Sequence, residues 1–369
     1  MRKKNILFNP YFFNPEMIEG AFSAARRNDL TLSIIQPAFS ESMPMGKKYD
    51  GLLTAAIKNM EQEKELNPEC KIVCHTLLAA EELLNTADAI VAADESQICS
   101  IAVNYLLRKG FSNFACCLKQ EREDLFRMQV QKFGMETIHT FSPSPVQQEV
   151  DLESRIEFIR NLPKPCAFIV QTVLWSERWH EVIYRSGVKV PEELAILGID
   201  NLEYICNSQM PQLSAIDTNA FDVGFRSVEI MARLLAGETV PHMTLIAPKK
   251  RVVERESTDF YAVGNEKLRR MILFARQHIS EGITVCRLAN EFSMAVPSLD
   301  ELFLRHLRNT PKRFLIELQL KRAEELLKQG NLKIAAVAQE SGFATLKSFY
   351  DFFKEYHNAT PKEWCCNKH

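Results

Sequence analysis

Thr345, Leu346 and Lys347 open a helical stretch three residues after Gly342. Their hydroxyl, apolar and cationic groups are of the kinds that meet the base edges and phosphates of nucleic acid. Ala344 precedes them and Lys354 lies two turns further on. Val337, Ala338 and Ser341 stand at helical spacing before Gly342, a residue that ends a helix by adopting positive φ. Phe349, Phe352 and Phe353 resume an apolar stripe after it. A short helix, a glycine turn and a second helix make the helix-turn-helix pattern, in which the second helix enters the DNA major groove. A second place with chemistry is Asp200-Asn201, which ends the apolar strand Ala195 to Ile199. A carboxylate there can accept two hydroxyl hydrogen bonds, as a sugar would offer. The plainer alternatives are an ordinary helical hairpin for the first feature and a turn cap for the second. Enzyme chemistry is not indicated. The chain has no glycine-rich phosphate loop and no nucleophile elbow, and His75, His139 and His180 are isolated in the sequence.

The helix-turn-helix has a degraded copy about 50 residues upstream. Leu288 to Glu291 echoes Val337 to Glu340, Phe303 echoes Phe353, and Thr310-Pro311-Lys312 echoes Thr360-Pro361-Lys362. In the copy, Val296, Ser298, Glu301 and Arg305 are the candidate DNA contacts. Asp300 and Glu301 oppose phosphate, although a glutamate can accept from cytosine N4. Arg305, Arg308 and Lys312 are the cations available to restore attraction. Between the copies, Ile316, Leu320, Ala323 and Leu327 mark one face of a continuous helix that would hold both units.

Charge divides along the same line. The chain of 369 residues has a net charge of −2. From Gly264 onward there are 17 Lys+Arg against 12 Asp+Glu, a net of +5; the remainder has 45−17 = 28 against 47−12 = 35, a net of −7. A basic tail on an acidic body fits a nucleic-acid module joined to something else. The start, Met1 to Pro10, has too few apolar residues for a signal peptide, and no run approaches the roughly 18 needed to span a bilayer. A cytoplasmic protein with reduced thiols is expected. Cys116-Cys117 lies in an apolar run and reads as core. Cys365, Cys366 and His369 read as a frayed tail rather than a metal site. No cofactor is expected.

Ahead of the tail, short apolar strands alternate with helices. Strands are expected at Asn5 to Phe8, Thr31 to Ile35, Asp50 to Leu53 and Ala89 to Ala93, with helices at Pro15 to Arg27 and Gln97 to Arg108. The pattern restarts at Asn113 and runs to the helix Val223 to Leu235, stopped by Gly237. This predicts parallel sheets covered by helices, as two successive α/β units of about 110 residues forming a two-lobed body. Ligands of open α/β sheets bind beyond the carboxyl ends of the strands, here the cleft between the lobes.

Ile283 to Trp364 resembles the AraC/XylS-type DNA-binding domain, through Leu320 to Leu327, Gly342-Phe343, Phe349, Phe353-Lys354 and Thr360 to Trp364. That resemblance implies two recognition helices in successive major-groove segments about 10 bp apart. The first unit departs from the pattern: Ser293 stands where the turn glycine is usual, and Ala295 replaces a capping serine. Gly187 to Asn201, Pro211 to Asp217 and Arg251 to Asp259 are similar to the LacI/GalR-type sensor signature. Together the resemblances imply a sensor over 1–260 and a double helix-turn-helix reader over 265–369, the layout of the xylose-operon regulators. They imply a homodimer through the sensor, contact with RNA polymerase, and activation rather than repression. They put ligand contacts at Asp200 with Asn201, and at Arg127. Two departures bear on the effector. Ala55 and Val173 stand where those regulators carry acidic residues, which removes grip on sugar hydroxyls. Trp175 and the Tyr11-Phe12-Phe13 loop would offer a stacking wall instead. The expected effector is a sugar or derivative other than xylose. A sensor that binds a protein partner stays open as the alternative.

Overall fold

The computed structural model describes residues 3–10, 14–35, 48–55, 67–79, 81–141, 152–249 and 251–366, with the side chains of 174–178 and 366 left aside. The chain falls into two compact units. One comprises 1–105 and 112–260; the other comprises 106–111 and 261–369.

In chain order the first unit carries β1 (Asn5–Asn9), α1 (Pro15–Arg27), β2 (Thr31–Ile34), β3 (Gly51–Thr54), β4 (Lys71–Cys74), α2 (Glu81–Thr86), β5 (Ala89–Ala93) and α3 (Glu95–Arg108), the last turn of which belongs to the second unit. There follow β6 (Asn113–Cys117), α4 (Gln120–Gln131), β7 (Ile138–Thr140), α5 (Leu152–Asn161), β8 (Cys166–Val170), α6 (Val173–Ser186), β9 (Leu194–Ile199), α7 (Glu203–Ser208) and β10 (Ser214–Ile216). The unit closes with α8 (Ala220–Leu235), β11 (Met243–Ile246) and β12 (Val252–Val253).

Two six-stranded sheets result, ordered β11-β5-β4-β3-β1-β2 and β12-β10-β9-β8-β6-β7. All pairs are parallel except β10 with β12. Every residue of β8 and β9 is buried, as expected for parallel strands with helices on both faces. Cys116 and Cys117 are in this core, and burial pushes the Cys117 thiol up to about 11.

The lobes are not successive halves of the chain, which corrects the expectation from the sequence. After β10 in the second sheet the chain returns to the first, where α8 packs and β11 pairs with β5. It then crosses again to place β12 beside β10. The physical reason lies in two glycines. A Cβ on Gly224 of α8 would overlap the Met17 carbonyl oxygen of α1, and a Cβ on Gly20 would overlap the Phe221 carbonyl. Each glycine lets the opposite backbone approach, and the buried faces Met17, Ala21, Ala24 and Val223, Val228, Met231 close around the crossing. Gly224→Ala would gain about 1 kcal/mol of helix propensity and lose about 3 kcal/mol to overpacking. A net loss of about 2 kcal/mol is expected, read as a lower midpoint in urea with an unchanged slope.

Among the described residues three connections join the lobes: α3 after β5, residues 217–219 after β10, and the segment that begins at residue 247 after β11. The second and third are tied together. The Lys249 amide donates to the Asp217 carbonyl at 2.9 Å, Lys249 Nζ lies 3.1 Å from the Asp217 carboxylate, and Asn219 Nδ2 donates to the Ala247 carbonyl at 3.3 Å.

The second unit holds α9 (Glu266–Gln277), a 3-10 turn (Ile279–Glu281), α10 (Val285–Glu291), α11 (Val296–Leu307), α12 (Pro311–Gln329), α13 (Ile334–Glu340), α14 (Leu346–His357) and α15 (Pro361–Cys366). Side chains cap most of these helices: Asn265 accepts from the Leu268 amide, Thr284 from Arg287, Thr310 from Arg313 and Thr345 from Ser348. The long helix α12 buries Leu320 and Ala323, and serves both apolar clusters of the unit through Phe314 and Leu315 at its start and Leu326 and Leu327 further on. Residues 106–111 join this unit through Lys109, which is buried with its Nζ 4.4 Å from the centre of the Tyr261 ring and its carbonyl accepting from the Ala262 amide at 2.7 Å.

Candidate effector cleft and DNA-reading helices

The carboxyl ends of the strands gather the polar residues of the sensor. Glu95 follows β5, at the start of α3; Arg122 is in the first turn of α4; Gln171 and Thr172 follow β8; Asp200 follows β9. Arg122 and Glu95 form a buried, two-pronged ion pair, Nε to Oε2 at 2.6 Å and Nη2 to Oε1 at 2.8 Å. The third prong, Nη1, donates to the Gln171 carbonyl at 2.6 Å. Burial would lower the Arg122 pKa, but the Glu95 carboxylate outweighs it and holds the guanidinium above its ordinary value.

Asp200 stands in the left-handed region at φ 69, a conformation that non-glycine residues adopt at a cost and that gathers at ligand sites. Its Oδ1 accepts from the Thr218 hydroxyl at 2.9 Å, and Thr172 also bonds it. Burial pushes the Asp200 carboxyl above the usual range, and the Arg122 charge partly offsets this. Beside it, Asn201 Oδ1 is buried with no hydrogen-bond partner among the described residues. Across the cleft, the Lys119 ammonium of the second lobe donates to the Leu78 carbonyl of the first at 2.9 Å. His75, at the end of β4, is buried and faces the Asn9 carbonyl at 3.1 Å, and burial lowers its pKa.

The arginine whose charge acts on Asp200 is Arg122. Arg127 is half-buried further along α4 and pairs with Glu123 at 2.9 Å. Val173 is fully buried in the core of the second lobe, and Thr172 is the residue that turns to Asp200. Ala55 is buried at the end of β3. Phe12 and Phe13 lie outside the described residues, and so does the side chain of Trp175, whose backbone is in α6. Trp179, one turn on, is core: its ring meets Phe168 edge-on at 4.7 Å. Glu95, Arg122 and Thr172, which border the candidate site, were not singled out from the sequence. Each sits directly after a strand or in the first turn of the next helix, a positional signal that was available.

In the reader, the two helix-turn-helix units share the same order of turn, cap and buried anchors. Ser293 and Gly342 make the turns, both with positive φ, 49 and 81. Met294 and Phe343 donate back to equivalent carbonyls, Ala289 and Ala338. One extra residue, Ala344, then enters the second turn, so that from Ala295 and Thr345 onward the offset is 50 (345−295). Leu299 and Phe303 anchor α11 in the core as Phe349 and Phe353 anchor α14. The opposite faces are exposed: Val296, Ser298, Glu301 and Arg305 on α11; Leu346, Lys347 and Lys354 on α14, with Ala344 and Thr345 before it. Thr345 Oγ1 is engaged as the cap of α14, whereas Ala295 makes no side-chain cap for α11. Glu301 and Arg305 pair with each other at 2.7 Å on the surface.

The cations of the two units are unequal. Pro297 and Leu304 occupy the positions in α11 that Lys347 and Lys354 occupy in α14. Lys347→Ala and Lys354→Ala are each expected to weaken binding to all sequences alike and to lower the slope of log affinity against log salt by about 1, whereas Leu304→Ala leaves the slope unchanged. Fluorescence anisotropy at several salt concentrations measures this.

Comparison with known proteins agrees with this geometry. A helix-turn-helix domain family matches residues 288–365, and a periplasmic binding protein-like domain family matches residues 103–258. The xylose operon regulatory protein of Haemophilus influenzae is 25% identical over 289 residues, 75% of this chain and 74% of its own length. Its namesake in Escherichia coli K12 is 25% identical over 285 residues, 74% and 73% of the two chains. A solved structure described as the xylose-binding transcription activator xylR matches with a TM-score of 0.58 at 23% identity, covering 99% of this chain and 98% of that one. The chain is a DNA-binding transcription regulator and not an enzyme. It joins an AraC-type helix-turn-helix reader to a LacI-like, periplasmic-binding-protein-like sensor, as the xylose operon regulators do.

Among the described residues no helix is long and apolar enough to cross a membrane, and no cluster of His, Cys, Asp or Glu is arranged to hold a metal.

Proposed function

We propose that this protein is a cytoplasmic activator whose sensor, residues 1–260, binds a neutral sugar between its lobes and thereby controls DNA binding by the reader, residues 265–369. The observation that carries the reading is the Asp200-Asn201 pair beside the Arg122–Glu95 bridge. The Asn201 Oδ1 is a buried acceptor without a donor, which costs free energy that a ligand hydroxyl would recover. Arg122 is already engaged by Glu95 and by the Gln171 carbonyl, which disfavours an anionic ligand. Ala55 and Val173 supply no hydroxyl acceptor, and this argues for a sugar other than xylose, the sugar named for the relatives. Glu95 belongs to one connection between the lobes and Asp200 to the second lobe, so a ligand that touches both favours one lobe arrangement over another. It changes DNA affinity only by its differential affinity for the two arrangements. The protein acts as a homodimer through its sensor domains and recruits RNA polymerase.

The test is fluorescence anisotropy of the full-length protein on its own promoter DNA, over a salt series, with a panel of neutral sugars that includes xylose. Specific binding with a steep salt dependence, altered by one sugar other than xylose, is expected. Specific binding altered by xylose alone would overturn the effector assignment. Specific binding indifferent to every sugar would move the sensor to another ligand class or a protein partner. No specific binding at any salt would overturn the reading as a whole.

A further inference from the structure

Val296 and Leu346 occupy the same place in the two recognition helices. Each is the first residue of its helix, directly after the capping position at Ala295 or Thr345, and three residues before a buried anchor, Leu299 or Phe349. Both are aliphatic and both are exposed, 36% and 45%. An exposed aliphatic side chain on one such helix is ordinary surface. The repetition of an exposed aliphatic side chain at the same register is a second observation: the other exposed apolar positions do not repeat, Pro297 standing against Lys347 and Leu304 against Lys354, while the pairs that do repeat, Ser298 with Ser348 and Glu301 with Asp351, are polar.

The N-terminal turn of a recognition helix is the part that meets base edges. An aliphatic group there can neither donate nor accept. Pressed against a base edge that offers only donors and acceptors, it strips water from them and leaves them unpaired. Thymine is the one base whose major-groove edge carries an apolar group, the 5-methyl. We infer that Val296 and Leu346 each read a thymine methyl, so that the operator carries a thymine at one equivalent position in each of two segments about one helical turn apart. In α11, where Pro297 and Leu304 replace the two lysines, this apolar contact is a larger share of what the helix offers DNA. The inference rests on the DNA-reading function proposed above.

Replacing thymine by deoxyuridine removes only the methyl and needs no change to the protein. The probe is the promoter fragment upstream of the protein's own coding sequence, with each thymine in the footprint replaced in turn. Two sensitive thymines are expected, about 10 bp apart, each replacement weakening binding about three- to fivefold, the magnitude of one buried methyl group. Leu346→Ala should weaken binding to thymine DNA by a similar factor and abolish the effect of deoxyuridine at one of the two positions. Val296→Ala should do the same at the other. Both side chains are exposed, so neither variant disturbs the core. Specific binding without such a pair of thymines would overturn the inference and leave the regulator standing. Losses from Leu346→Ala and from deoxyuridine that simply multiply at every position would do the same. Failure to bind any promoter fragment specifically would overturn both.

Discussion

Gly342→Ala is expected to abolish sequence-specific DNA binding while the sensor stays folded. Gly342 takes φ 81, where an L side chain is strained, and an added Cβ would overlap the Ile279 carbonyl oxygen and approach the Gly282 amide at 3.1 Å. Ile279 and Gly282 come before the first helix-turn-helix unit, whereas Gly342 is the turn of the second. The close approach is therefore part of what sets one unit against the other. The Gly342 carbonyl also accepts from the buried Gln319 side chain of the connecting helix at 2.6 Å, so a displaced turn loses that bond as well. The left-handed backbone costs about 1 kcal/mol and forced displacement of packed backbone about 3 kcal/mol. A total near 4 kcal/mol is a large part of the stability of a small domain, roughly 5–15 kcal/mol. Gly330→Ala is the matched control. Gly330 has φ 68 but nothing within 4 Å of an added Cβ, so its cost is the backbone's alone, about 1 kcal/mol. Chemical denaturation and promoter binding of the two variants separate the effects. Equal behaviour of both would show that the contact with Ile279 carries no weight.

The second large effect is expected from Arg122→Ala. Removing the guanidinium leaves the Glu95 carboxylate buried without its two-pronged partner, and breaking a buried pair from one side costs about 3–5 kcal/mol. It also removes the charge that partly offsets the burial of Asp200, so the Asp200 carboxyl should rise further. Sugar response should vanish, and the unfolding transition of the sensor should move to lower urea. Replacing both partners, Arg122→Met with Glu95→Leu, should restore most of the stability, because an apolar pair has no desolvated charge to satisfy. It should not restore the sugar response, because the polar cleft wall is gone. If Arg122→Ala unfolds at the same urea concentration as the parent, the buried ion pair does not contribute the stability that its geometry indicates. If the double variant responds normally to sugar, the cleft lies elsewhere.

Much of this molecule was legible before its structure, for reasons that differ between its two parts. Helix α1 was expected over Pro15 to Arg27 and is found there, because proline in the first turn, an asparagine cap and an apolar stripe are local signals. The doubled helix-turn-helix was legible because its repeat is carried by short-range features: the turn at Gly342, the Thr-Pro-Lys exits and the stripe of α12. Even the departure at Ser293 was visible, and the structure shows a non-glycine residue held in the glycine conformation.

The candidate sensor site was legible only in part. Asp200 was marked by its place at the end of an apolar strand. Arg122 was not distinguished from Arg127, because five residues along a helix rotate a side chain by about 140°, and local sequence does not say which direction faces the cleft. Val173 shows the same limit: adjacent to Thr172, it goes to the core while its neighbour bonds Asp200.

By itself, the sequence determined the kinds of element, their order, the paired recognition helices and the division of charge between body and tail, because each depends on periodicity and composition within a few turns of chain. Only the tertiary structure decided that α8 and β11 return to the first lobe, that Glu95 meets Arg122 from a different strand end, and that Gly342 packs on Ile279. These depend on backbone approaches and buried charges between residues as far apart as Gly20 and Phe221, where what matters is whether two surfaces fit, and no local pattern records that.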